Sequence, residues 1–126
     1  MIRWVLLIPC AVLSWYAAVL LGMLTYSAAE NLLCAPEDWV SGACFNEKIV
    51  VAYAVILHAF AALSVVAVGL ATYFTAPSHR RSVVWVALVT GVAVATYMAV
   101  QTKAWSVLFV VVGCAVLVGC AKSFDR

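Results

Sequence analysis

"IVVAYAVILHAFAALSVVAVGLATYFTAPS", residues 49–78, runs for 30 positions without an Asp, Glu, Lys or Arg. A helix needs about 20 apolar residues to cross a ~30 Å hydrocarbon core. This run exceeds that length, and its reading as a membrane-spanning helix decides the fold, because the pattern recurs along the chain. No such charged residue lies between Arg3 and Glu30, from Ser82 to Thr102, or from Ala104 to Ala121. The last of these, at 18 residues, only just spans.

Four transmembrane helices are therefore expected, at about 4–28, 49–76, 82–101 and 104–121, with a loop at about 29–48. Each satisfies its backbone polar groups internally, as lipid demands. The expected fold is an all-α integral membrane protein, an antiparallel four-helix bundle forming one domain over residues 1–126. Composition agrees: 68% of residues are hydrophobic, 10% are charged and mean hydropathy is +1.16. A soluble domain carries about 25% charged residues, and one this small leaves too much surface in water to hide so much apolar area. The lipid bilayer is the expected partner. A net charge of +2 is too small for nucleic acid, so none is expected.

The first helix begins "MIRWVLLIPC", and Ser27-Ala28-Ala29 loosely resembles a cleavage site. Its apolar run is much longer than the roughly 7–15 residues of a signal-peptide core, so it reads as a membrane helix. Pro9 should kink its first half.

Positive charge sets direction. Arg3, His79-Arg80-Arg81, Lys122 and Arg126 fall on one side of a four-crossing chain, whereas Glu30, Glu37, Asp38 and Glu47 fall on the other. Lys48 and Lys103 dissent. Both termini are expected in the cytoplasm and the 29–48 loop outside it, in a bacterial inner membrane. Trp4, Tyr73, Phe74, Trp85 and Phe124 suit the inner headgroup belt; Tyr26, Tyr97 and Trp105 suit the outer one.

The outer loop holds "CAPEDWVSGAC", residues 34–44. Two cysteines in an oxidising compartment pair as a rule, so a Cys34–Cys44 disulfide is expected. Closing an 11-residue ring is worth roughly 2.8 kcal/mol in chain-entropy terms. Pro36-Glu37-Asp38 suits the first turn of a short helix, and Ser41-Gly42 turns the chain back. Redox exchange centres use C-x-x-C spacing and relay cysteines, whereas Cys10, Cys114 and Cys120 are remote in the helices and read as small buried hydrophobes. The loop has no histidine, and no metal site is read anywhere.

His58 is an ionisable group inside the bilayer, a functional candidate by default. It lies about 14 Å from the outer end of its helix at 1.5 Å per residue, near the midplane. Ala54, Ala61, Ala62, Val65 and Gly69 run past it as a stripe of mostly small residues, so it should face protein and bond to a hydroxyl such as Thr90, Thr96 or Tyr16. Proton-relay and haem-ligand roles are the alternatives; a bis-histidine haem would need a second intramembrane histidine from another copy or a partner. Trp15 and Tyr16, halfway along the first helix, complete a candidate intramembrane polar site. Ser14, Ala18 and Gly22 in the first helix, and Ala87, Gly91, Ala95 and Ala99 in the third, form small-x-x-x-small ridges for close helix packing.

No phosphate loop, nucleophile–base pair or intramembrane carboxylate is read from this chain, so a catalytic centre is not expected. The reading that fits best is a non-catalytic accessory, assembly or stabilising subunit packed in a larger membrane complex. A small oligomeric transporter or channel with His58 in its path is the alternative from another class. A haem- or quinone-binding redox subunit is the third. No cofactor is expected under the first reading; self-association is the other partner option.

Overall fold

The computed structural model describes residues 2–76 and 79–121, with side chains from Val5 onward. Four helices account for most of them: α1 (Ile2–Leu33), α2 (Glu47–Thr75), α3 (Arg80–Thr102) and α4 (Trp105–Cys120). A 3-10 turn (Pro36–Asp38) and two paired strands, β1 (Trp39–Val40) and β2 (Ala43–Cys44), fill the α1–α2 connection. The charges Lys122 and Arg126, the ring of Phe124, and the side chains of Arg3 and Trp4 lie outside the described residues.

At 1.5 Å per residue, α1 to α4 measure roughly 48, 44, 35 and 24 Å. α1, α2 and α3 are long and apolar enough to cross a membrane. α4 is not: its 16 residues stop short of the expected 104–121 and of the ~20 that a crossing needs. α1 departs the other way and runs five residues past its expected end. Its last turns are held by Asn31, whose side-chain amide donates to the Ser27 carbonyl at 2.9 Å, and by the Cys34 N–H on the Glu30 carbonyl at 3.0 Å.

Local chemistry sets the other boundaries. Asn46 caps α2 by accepting from the Lys48 N–H at 3.0 Å, and Glu47 meets the positive helix start. α2 ends where Ala76 turns extended, as the residue before a proline must. α3 starts with Arg80 and Arg81, the wrong charge for a helix N-terminus. Arg80 is offset by its seat 5.3 Å over the Tyr73 ring. Only Lys103 and Ala104 separate α3 from α4, with Lys103 in the left-handed region.

The helices do not close into a ring of four. Val65 of α2, Val84 and Leu88 of α3, and Val111 and Ala115 of α4 form one core. α1 contributes nothing to it and lies along α2 alone in any extended contact. That contact is antiparallel: Gly22 presses on Phe60, and Tyr26 meets Tyr53 edge-to-face at 5.4 Å. The architecture is a three-helix core with a fourth helix laid on α2. Large apolar side chains, such as Leu13, Leu20, Val86, Phe109 and Leu117, point outward from α1, α3 and α4.

Two close approaches fix the relative heights. Gly69 of α2 faces Val118, and Gly119 faces Trp85 of α3. Thirteen residues back from Val118 and Gly69, along parallel α4 and α2, lead to Trp105 and Ile56. The α3–α4 turn therefore lies roughly 10 Å below the start of α2, and the α1–α2 hairpin stands above it.

Candidate functional site

His58 lies on the side of α2 that carries Ala61 and Val65 toward α3 and α4, one turn outward from the core. It is half-buried. Its Nδ1 is 2.6 Å from the Ala54 carbonyl. A carbonyl only accepts, so Nδ1 is the donor in this bond. The expected hydroxyl partners are elsewhere: Thr90 donates to the Val86 carbonyl at 2.9 Å and Thr96 to the Val92 carbonyl at 2.8 Å. A carbonyl one turn back is always in reach of a helical threonine or histidine, and it outcompetes a distant hydroxyl.

Counted along α2, His58 is the twelfth of 29 residues. Counted along its neighbours, it is level with Val107, in the first turn of α4, close beneath the α3–α4 turn. The height difference between the two hairpins thus brings His58 nearer to the turn end of α3–α4 than its place in α2 implies.

Trp15 and Tyr16 do not join His58. They stack on each other edge-to-face, with centroids 5.1 Å apart, and are 43% and 54% exposed. At 100° per residue, Tyr16 lies on the side of α1 opposite Ala18, and Trp15 borders the stripe that meets α2. The three residues of the expected polar site thus occupy two separate faces of the molecule.

The packing ridges divide as well. Ala18 is buried, and a Cβ on Gly22 would sit 3.2 Å from the Phe60 ring. Ser14 is half-buried, with its hydroxyl on the Ala11 carbonyl at 2.8 Å. In α3, Ala99 is buried and Ala87 and Ala95 are half-buried, but Gly91 is exposed with nothing near its absent side chain. The stripe of α3 that joins the core is Val84, Leu88, Val92 and Ala95, with Ala99 buried beyond it. Gly119 against Trp85, the closest glycine approach among the described residues, is a contact that sequence reasoning missed. Pairing α3 with α4 backward from their turn puts both near the same end, far from that turn, and that was the available signal.

Outside the helices, Cys34 and Cys44 are disulfide-bonded, with Cα atoms 6.1 Å apart. Trp39 pairs with Cys44 and Val40 with Ala43, and Ser41-Gly42 form the turn. The Asn46 side-chain amide donates to the Asp38 carboxylate at 2.7 Å, and the Phe45 N–H donates to the Asp38 carbonyl at 3.0 Å. The staple, the strand pair and the α2 cap are therefore one unit. Cys10, Cys114 and Cys120 are free thiols; Cys120 is exposed and the others are half-buried, not fully buried as expected. Comparison with protein-family models, curated proteins and solved structures gives no match.

Proposed function

We propose that the chain is an integral membrane protein crossing the bilayer four times, with both termini cytoplasmic and the stapled hairpin outside, in a bacterial inner membrane. It serves as a non-catalytic accessory, assembly or stabilising subunit of a larger membrane complex. The observation that carries this reading is α1: a 32-residue apolar helix with one extensive neighbour in its own chain. A helix outside the three-helix core of its own protein is placed to pack on another. The short α4 is accommodated as the second arm of a hairpin with α3, with local thinning of the bilayer at modest cost. Arg80 and Arg81 at one end, and Glu30, Glu37, Asp38 and Glu47 at the other, support the orientation.

Removing the chain from its native cells should lower the abundance of one larger membrane protein, or shrink its native particle, as read by quantitative proteomics of size-fractionated membranes. An unchanged membrane proteome with unchanged particle sizes would contradict the reading.

The half-buried His58 imidazole, whose Nδ1 is held by its own helix, favours a second reading, an oligomeric transporter with this imidazole in its path; a haem ligand would use Nε2. His58→Ala separates the readings. An accessory subunit keeps its fold and its partner, whereas a transporter reconstituted in vesicles loses proton-coupled flux.

A further inference from the structure

We propose that the Leu13–Tyr16–Leu20 ridge of α1 is the face on which a membrane-embedded helix of a different polypeptide docks. The Tyr16 hydroxyl donates a hydrogen bond to an acceptor on that helix. This rests on the accessory-subunit reading and gives it an address.

Depth comes first. Gly22 is level with Phe60, so six residues further along each antiparallel helix Tyr16 is level with Val66. α2 continues nine residues beyond Val66 to Thr75, roughly 14 Å. Tyr16 and Trp15 therefore sit near the middle of a ~30 Å hydrocarbon core, far from either headgroup belt.

Chemistry comes second. Ser and Thr hydroxyls in these helices, including Thr25, Thr72, Thr90 and Thr96, donate to a carbonyl one turn back. A phenol hydroxyl and an indole N–H are held too far from their own backbone to do this. Neither finds a hydrogen-bond partner among the described residues, and both side chains are exposed. A donor left unpaired in hydrocarbon costs on the order of several kcal/mol, and acyl chains offer no acceptor. Of the two, Tyr16 lies on the ridge that faces away from α2, and its hydroxyl calls for an acceptor from another molecule.

A second copy of this chain fits poorly. Copies in one membrane share an orientation, so a two-fold pair through this ridge sets Tyr16 against Tyr16. Two facing phenols share one bond and leave one proton over. The complementary partner is a helix that carries a hydroxyl, an amide or a proline-freed carbonyl at mid-membrane depth.

Photocrosslinking in intact native membranes tests this, with p-benzoylphenylalanine placed singly at Leu13, Leu20, Phe109 or Leu117. The proposal expects Leu13 and Leu20 to yield one shared adduct with a different polypeptide, and Phe109 and Leu117 to yield lipid adducts. Adding Tyr16→Phe, which keeps the ring and removes only the hydroxyl, should cut the Leu20 adduct by at least about threefold, the scale of one interhelical hydrogen bond. An adduct at twice the chain's mass, or a polypeptide adduct that Tyr16→Phe leaves unchanged, would overturn the proposal. A polypeptide adduct only at Phe109 or Leu117 would overturn it too, yet leave the accessory reading standing. No polypeptide adduct at any of the four positions would remove both.

Discussion

Gly119 and Gly91 both replace a side chain with hydrogen, but only one of them needs to. A Cβ at Gly119 would fall 2.6 to 2.9 Å from three carbons of the Trp85 indole, whereas one at Gly91 would meet nothing within 4 Å. Overpacking costs about 1–3 kcal/mol, and alanine returns about 1 kcal/mol of helix propensity. Gly119→Ala should therefore lose roughly 1 kcal/mol, and Gly91→Ala should lose nothing. Thermal unfolding of both variants in one detergent checks this; an equal drop at both sites would sink the argument. These two glycines also mark the limit of sequence reading. Small residues at four-residue spacing flagged Gly91, which faces outward, and passed over Gly119, whose role depends on the ring across the hairpin. His58 was legible as an imidazole within a long apolar helix, but its partner was not, because a competing carbonyl one turn back leaves no mark in a residue pattern.

Among elements, the stapled α1–α2 hairpin was the most legible, because turn chemistry and covalent pairing are local. Proline followed by two acids gave the 3-10 turn, and Ser41 and Gly42 both adopt positive φ, 53° and 84°, as a two-residue hairpin turn requires. The paired Cys34 and Cys44 should accept a maleimide only after reduction. Cys34→Ser with Cys44→Ser should remove roughly 2.8 kcal/mol of chain-entropy stabilisation. That loss should appear as faster proteolysis of residues 34–46 while the helical circular dichroism signal holds. Labelling without reductant, or a collapse of helicity, would contradict the account. Helix ends were less legible. Glu30 and Asn31 look like loop, yet α1 absorbs both, since the Asn31 amide and the Cys34 N–H bond carbonyls one turn back and carry the helix on.

For the molecule as a whole, hydrophobic runs and charge placement disclosed four helices, three of them long and apolar enough to cross a membrane. They did not disclose that α1 stands outside the core. Every helix here is apolar around most of its surface, so no polar face reveals which side meets protein. The choice falls to shape: a glycine under an aromatic ring, or a valine in a gap. The same geometry makes the account's central claim, that this chain completes a larger membrane assembly, open to direct measurement. Native mass spectrometry of the particle gently extracted from its own membranes reads the answer as mass. The account predicts one copy of this 13.5 kDa chain bound to a larger, different protein. A particle made only of copies of this chain would contradict it and move His58 to the centre of a transport mechanism.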